Sequence, residues 1–172
     1  HRDLHSFPTR RSSDLPSYMR TARNKTPVLY DGRENEIKIG KGVELIEGKD
    51  VAIIACGVLV HEAIAAAKTL EEAGVSATVV DMHTLKPLDG ELIESLAEKC
   101  GAVVTAEDHS IIGGLGGAVA EHLISTRPVP MERIGVQDRF GESAGAEEML
   151  EMMGLKSHHI VDAAKRAIAR KA

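Results

Sequence analysis

The chain has 172 residues, of which 43% are apolar and 27% charged, within the range of a single globular domain. Its longest apolar run, Val51 to Val60, covers ten residues. A membrane-spanning helix needs roughly twenty, so we expect no membrane association. The two cysteines, Cys56 and Cys100, predict neither a disulfide framework nor a zinc ligand set, which favours a reduced, cytoplasmic setting.

The net charge of −5 is unevenly distributed along the chain. Residues 1–25 carry six Lys or Arg against two Asp, a balance of +4, which leaves −9 for the remainder. Nucleic-acid binding needs a basic surface and often aromatic side chains on which bases stack. An acidic body, in a chain with only two Tyr, two Phe and no Trp, therefore predicts no nucleic-acid partner.

The N-terminal third divides into two parts. Residues 1–15, HRDLHSFPTRRSSDL, show neither helical nor strand periodicity, and we interpret them as a non-native leader. The alternative is a natural, disordered basic leader. Residues 16–49 contain a short extended piece at Pro27–Tyr30 and an apolar stretch from Ile37 to Ile46, which predicts a linker that becomes an edge element.

From residue 50 onward, short apolar runs alternate with segments of helical periodicity. Strands are predicted at 51–56, 77–82, 102–106 and 133–136, because continuous apolar runs of this length are typical of strands buried on both faces. Strands that alternate with helices through short loops indicate an α/β fold with a parallel sheet and right-handed crossovers.

Polar residues and glycines mark the predicted helix ends. Asp89 is expected to cap a helix that Gly101 closes, and Ser143 and Ser157 are expected to cap the last two helices. The glycines of residues 113–117 match neither of the common phosphate-binding spacings. They therefore favour a helix that lies close against the sheet, with a phosphate cradle as the alternative.

Candidate chemistry concentrates where the strands end, because ligands of parallel sheets gather at the carboxyl edge. Glu107, Asp108, His109 and Ser110 are consecutive, so their side chains cannot converge as a catalytic triad. We interpret them as a polar loop that faces a ligand or a subunit, with a solvated loop as the alternative.

Two further motifs predict structure more readily than chemistry. His158 and His159 project about 100° apart on a helix and make a poor chelate, so no metal site is expected. Phe140, the only aromatic residue after Tyr30, is expected to fill a core or interface position.

Several strings taken together resemble the C-terminal domain of transketolase. They are VAIIACG at 51–57, DMHTLKPLD at 81–89, VVTAEDHSIIGGLGGAVAE at 103–121 and DRFGESAGAEEML at 138–150. The last is most similar to transketolases that are split into two subunits. The resemblance implies a three-layer α/β/α domain at residues 50–172 with a mostly parallel sheet of about five strands. It further implies that residues 16–49 are the end of the pyrimidine-binding domain plus a linker, in a chain truncated at its start.

The resemblance also implies a reaction, which is the reversible transfer of a two-carbon ketol unit between sugar phosphates. In that family thiamine diphosphate and a divalent cation supply the chemistry, held by a GDG-type motif that this sequence lacks. We therefore expect this chain to contain no catalytic residue, to bind neither cofactor nor metal, and to be inactive alone.

Substrate contacts and partners follow from the same resemblance. Arg23 matches a family arginine that contacts the sugar phosphate, a task for which its planar fork of donors is suited. Glu107 and His109 are weaker candidates, chosen for their position at the sheet edge. The expected partners are the N-terminal and pyrimidine-binding domains or subunit, in an assembly that is a homodimer.

Three alternatives remain open. The chain could close a deoxyxylulose-phosphate synthase or the beta subunit of a 2-oxoacid dehydrogenase, both of which end in related domains. It could also be a free-standing α/β module that binds an anion or promotes dimerisation.

Overall fold

A five-stranded sheet organises the part of the chain that the computed structural model describes, residues 16–22, 25–32 and 36–171. The predicted leader, residues 1–15, lies outside these ranges. The strands are β1 (Val43–Ile46), β2 (Val51–Ala55), β3 (Ala77–Asp81), β4 (Val103–Ser110) and β5 (Met131–Val136). Their order across the sheet is β1-β3-β2-β4-β5. The last four run parallel, whereas β1 pairs antiparallel with β3.

Within the described ranges, five helices cover the two faces of this sheet: α1 (Leu59–Glu72), α2 (Gly90–Cys100), α3 (Leu115–Ser125), α4 (Ala146–Met152) and α5 (Ser157–Ala169). Alternate residues of β2 point to opposite faces. Val51 and Ile53 pack with α1 and α5, while Ala52 and Ile54 pack with α2 and α3. Both faces of the strand are therefore buried, and the expected three-layer α/β/α fold with five strands is confirmed.

The edge element predicted from residues 16–49 is β1. It belongs to the same sheet as the later strands, so the sheet begins before the predicted domain boundary at residue 50. Gly48, between β1 and β2, donates its N–H to the Thr78 hydroxyl and accepts a hydrogen bond from it. A Cβ at Gly48 would collide with the backbone of Ala77, which explains glycine at this crossing.

The structure confirms both residues that were expected to cap α2, one at each end of the helix. The carboxylate of Asp89 accepts a hydrogen bond from the Leu92 N–H and a second from the Gly42 N–H at 3.1 Å. Gly101 ends the helix at φ +66°, a left-handed conformation that favours glycine. Asp89 thus ties the segment before β1 to the start of α2.

Two other predicted caps are wrong. Gly145, rather than Ser143, precedes α4, and it provides no side-chain cap. Lys156 precedes α5, and Ser157 is already its first helical residue. The Ser157 N–H donates to the carboxylate of Glu62 on α1 at 2.7 Å. Because that acceptor is 95 residues away in sequence, local sequence pattern could not identify it.

Two further expectations need correction. Residues 107–110 are the end of β4 rather than a loop, because pairing with β5 resumes at Ser110 and Val136 after a register irregularity. Phe140 is 96% exposed, so its predicted place in the core of this chain is wrong, and the interface alternative stays a prediction. In the described part of the chain no helix combines the length and the hydrophobicity needed to cross a membrane.

Candidate functional site

A crevice lies at the carboxyl edge of the sheet, because the loops after β2, β3 and β4 do not all leave toward the same face. β2 is followed by α1 on one face, whereas its neighbours β3 and β4 are followed by α2 and α3 on the other. Loops that leave adjacent parallel strands toward opposite faces open a crevice between the strand ends. The groups beside this crevice are Cys56, Asp81 and the end of β4.

The N-terminal segment, residues 16–22 and 25–32, lies across this edge. The Tyr30 hydroxyl donates to Asp81 Oδ2 at 2.7 Å, and Arg20 Nη1 donates to the backbone oxygen of Asp108 at 2.5 Å. A cavity of about 330 Å³ separates the segment from the start of α1, with Gly57, Val58 and His61 as its wall on that side. The crevice is therefore covered by residues that precede β1 in the sequence.

Asp81 is the ionisable group most affected by this arrangement. It is only 7% exposed, and burial raises the pKa of its carboxyl, while the hydrogen bond from Tyr30 and the nearby His83 and His61 act in the opposite direction. Asp81 Oδ1 and His83 Nε2 are buried without a hydrogen-bond partner among the described residues. The crevice therefore holds polar atoms whose hydrogen-bonding capacity is unused.

Cys56 follows β2 directly, but it is not an activated nucleophile. Burial, followed by the charge of Glu107, raises the pKa of its thiol to about 12. The thiolate is the nucleophilic form, and at neutral pH this side chain is a neutral thiol. Its role at the edge is that of a small buried apolar group.

The buried side chain of Glu107 is hydrogen-bonded to the start of α3. Its side chain is 2% exposed, and its two carboxylate oxygens accept hydrogen bonds from the backbone N–H groups of Leu115 at 2.7 Å and Gly116 at 2.8 Å. The first N–H groups of a helix lack partners within the helix and attract an anion. Glu107 thus supplies that anion for α3 from within the chain.

The glycine cluster at residues 113–117 serves this contact. A Cβ at Gly114 would overlap the Glu107 carboxylate, and a Cβ at Gly116 would lie 3.0 Å from Thr105 Oγ1 and 2.9 Å from Arg133 Cδ. The predicted close approach of the helix to the sheet is confirmed. Because a carboxylate already occupies the helix N-terminus, the phosphate-cradle alternative has no free donors at Leu115 and Gly116.

The other predicted site residues differ in what surrounds them. His109 is exposed at the end of β4, and its Nδ1 lies 2.9 Å from the backbone oxygen of Ser110. Arg23 lies outside the described residues, and its substrate contact stays a prediction. The substrate contacts predicted for Glu107 and His109 likewise remain predictions, although only His109 presents its side chain to solvent.

The sequence reasoning missed Tyr30, Asp81 and Arg20. One available signal was Asp81 itself, because an acid that ends a fully buried apolar strand needs a polar partner. The identity of that partner could not be read locally, since Tyr30 and Asp81 are 51 residues apart and Arg20 and Asp108 are 88 apart.

Comparisons with known proteins agree with this architecture. Residues 40–160 match the model of the transketolase C-terminal domain. The chain is 44% identical over 166 residues to the 6-deoxy-6-sulfo-D-fructose transketolase subunit SqwH of Clostridium sp. (strain MSTE9), covering 96% of this chain and 51% of that protein. It is 42% identical over 146 residues to 1-deoxy-D-xylulose-5-phosphate synthase of Trichormus variabilis, covering 84% of this chain and 23% of that enzyme.

A solved structure described as a split gene transketolase, inactive beta4 tetramer, has the same fold. Its TM-score is 0.84 at 45% identity, and the match covers 87% of this chain and 49% of that one. The chain thus spans about half the length of this structure and of the clostridial subunit. On these grounds the chain belongs to the transketolase C-terminal domain family.

Proposed function

We propose that this chain acts as the C-terminal section of a split, thiamine-diphosphate-dependent transketolase, in the cytoplasm. In that role it supports the reversible transfer of a two-carbon ketol unit between sugar phosphates, and the N-terminal and pyrimidine-binding domains or subunit supply the reaction centre. The similarity to transketolase subunits over most of this chain supports the assignment.

The observation that carries the proposal is the N-terminal segment held across the carboxyl edge of the sheet. Arg20, before Arg23 in the sequence, donates a hydrogen bond to Asp108, and Tyr30, after it, donates one to Asp81. The segment is therefore held on both sides of Arg23. We propose that residues 16–49 are the end of a pyrimidine-binding domain with its linker, and that the domain fixes the direction in which this segment leaves. Arg23, Glu107 and His109 are the proposed substrate contacts, and Glu107 in addition holds the turn before α3 through its hydrogen bonds from Leu115 and Gly116.

Thiamine diphosphate does not fit the described residues of the edge. A diphosphate needs free N–H donors or a divalent cation with carboxylate ligands. The glycine-rich N-terminus of α3 is already satisfied by Glu107, and Asp81 is buried beneath Tyr30. We therefore assign no step of the reaction to this chain and propose that cofactor and cation are held by the N-terminal and pyrimidine-binding domains or subunit.

Exposed apolar side chains support the need for a partner. Ile112 is 62% exposed and Phe140 96% exposed. Ile112 follows β4 and Phe140 follows β5. These two strands are adjacent and parallel, so both end at the carboxyl edge of the sheet. Large apolar side chains grouped at one end of a domain are typical of interaction surfaces. We propose that this end contacts the cofactor-bearing domains, in an assembly of two copies.

Reconstitution tests the proposed function. The chain is mixed with a separate chain that carries the cofactor- and pyrimidine-binding domains of a split transketolase, together with thiamine diphosphate and Mg²⁺. We expect ketol transfer from a ketose phosphate to an aldose phosphate only when both chains are present. Stable association with activity equal to that of the second chain alone would contradict the proposal, as would a failure to associate.

The synthase alternative has its own support in the 42% identity to a 1-deoxy-D-xylulose-5-phosphate synthase. The same reconstitution, repeated with a 2-oxo acid as donor, separates the two. Release of carbon dioxide without ketol transfer from a ketose phosphate would favour the synthase or the oxoacid dehydrogenase. Binding of phosphate by the isolated chain, with no association, would favour the free-standing module.

A further inference from the structure

The junction between α4 and α5 brings three potential metal ligands together. Glu151 lies on α4, and His158 and His159 lie in the first turn of α5. One ligand atom from each residue lies within 4.8 Å of the other two. The two histidines alone make a poor chelate, and the fold adds a carboxylate from the preceding helix.

The spacing of this cluster suits a small divalent ion. A tetrahedral zinc ion with bonds of about 2.0–2.1 Å holds its ligand atoms about 3.3 Å apart. His158 Nε2 and Glu151 Oε1 are 3.2 Å apart and already satisfy that geometry. The ring centroids of the histidines are 4.0 Å apart with the planes tilted by 37°, and the ligand atom of His159 lies within 4.8 Å of the other two.

An independent observation concerns the second histidine. His159 Nδ1 is buried and has no hydrogen-bond partner among the described residues, although buried polar atoms are almost always paired. The same side chain lines a cavity of about 190 Å³ together with Gln137, Asp162 and Arg166. Glu151 and His158 do not line this cavity, so it provides space beside the imidazole of His159 alone.

We propose that Glu151, His158 and His159 bind a divalent transition-metal ion of the zinc class. Two imidazole nitrogens and one carboxylate oxygen form a ligand set that zinc accepts. A bound ion would join α4 to α5 and so fix the helix that follows the exposed residues 138–145. None of these three residues lines the cavity at the carboxyl-edge crevice, and the proposal does not depend on the proposed function.

The chain contains a matched control for this cluster. His122 Nε2 on α3 lies 2.9 Å from Glu94 Oε1 on α2, and like His159 Nδ1 it is a buried nitrogen without a partner in good hydrogen-bond geometry. This pair has the same two residue types, but among the described residues it belongs to no group of three potential ligands. A simple His–Glu ion pair would behave alike in both places. A metal site would distinguish them.

Zinc titration of the full chain, freed of metal by a chelator and carrying no affinity tag, tests the proposal. Calorimetry should show saturable binding near one equivalent. Glu151→Gln and His158→Ala should each weaken it by about tenfold or more, and Glu94→Gln should leave it unchanged. Both replaced glutamates are exposed, and circular dichroism checks that each variant is folded.

Imidazole ¹⁵N resonances give a second readout. Addition of zinc should shift the ring nitrogens of His158 and His159 and leave those of His122 in place. Absence of saturable binding would overturn the proposal, and so would binding that Glu151→Gln leaves intact. Equal losses in Glu151→Gln and Glu94→Gln would also overturn it, because they would indicate nonspecific binding to surface carboxylates.

Discussion

The carboxylate of Glu107 occupies the space that a side chain at Gly114 would need. It accepts hydrogen bonds from the backbone N–H groups of Leu115 and Gly116, the two residues that follow Gly114. An acid at the end of β4 and a glycine at the start of α3 are thus parts of one contact. The glycine allows the approach, and the carboxylate supplies the negative charge that a helix N-terminus attracts.

Replacement of Glu107 by Gln should destabilise the domain. The amide keeps one acceptor oxygen but places an NH₂ group against a backbone N–H, so one buried donor loses its partner. Hydrogen bonds to a charged group contribute about 1.5–3 kcal/mol, and we expect a loss of about 1–3 kcal/mol in the free energy of unfolding in urea. Glu121→Gln, at an exposed position on α3, is the control and should leave stability unchanged. Equal stability of both variants would contradict the capping role.

Gly114→Ala should lower stability, whereas Gly117→Ala in the same glycine cluster should not. At Gly114 the methyl group overlaps the Glu107 carboxylate, whereas nothing lies within 4 Å of a Cβ at Gly117. Overpacking costs about 1–3 kcal/mol, and a helical Gly→Ala change gains up to about 1 kcal/mol. Thermal unfolding should therefore show a lower midpoint for the first variant and an equal or higher one for the second.

Tyr30→Phe should detach the N-terminal segment without disturbing the core. It removes the hydroxyl that donates to buried Asp81, which we expect to lower the free energy of unfolding by about 1–2 kcal/mol. Hydrogen exchange should increase at residues 25–32 more than in the sheet. Tyr18→Phe, at a position that is 90% exposed, should change neither measurement. Unchanged exchange in Tyr30→Phe would show that the hydroxyl does not hold the segment.

The contribution of Asp81 to the free energy of unfolding should fall as pH rises through the acid range. Its pKa is raised in the fold above the ordinary value of 3.8, so the folded state retains a proton that the unfolded state releases. Unfolding then becomes more favourable as pH rises from about 4 toward the raised pKa. The stability of Asp81→Asn relative to the parent chain should therefore increase with pH across that window. A difference that is constant or that decreases would contradict the raised pKa.

Phe140→Ser should weaken association while leaving the chain itself stable. The side chain is 96% exposed, so its loss should change the free energy of unfolding by less than about 0.5 kcal/mol. If it is buried against the cofactor-bearing chain, the dissociation constant should rise by about tenfold or more. Ile124→Ser, at a 76% exposed position on α3, is the control. Equal dissociation constants for both variants would place the interface elsewhere.

Patterns among residues that are close together in the sequence predicted most of the architecture. The apolar runs at 51–55 and 77–81 and the capping by Asp89 and Gly101 are properties of neighbouring residues. Burial on both faces and the need to satisfy the ends of a helix act within a few positions of the chain. The α/β class and the parallel strands could therefore be read from the sequence alone.

Only the tertiary structure decided which distant groups meet. Tyr30 donates a hydrogen bond to Asp81, Glu62 accepts one from the start of α5, and Glu107 accepts one from the start of α3. Each contact depends on strand order and on which face a helix covers, and neither quantity has a local signature. The length and composition of one domain, the uneven charge and the buried strands were determined by the sequence. The partners of its buried acids were fixed by packing, because an ionised group removed from water must find a donor wherever the fold places one.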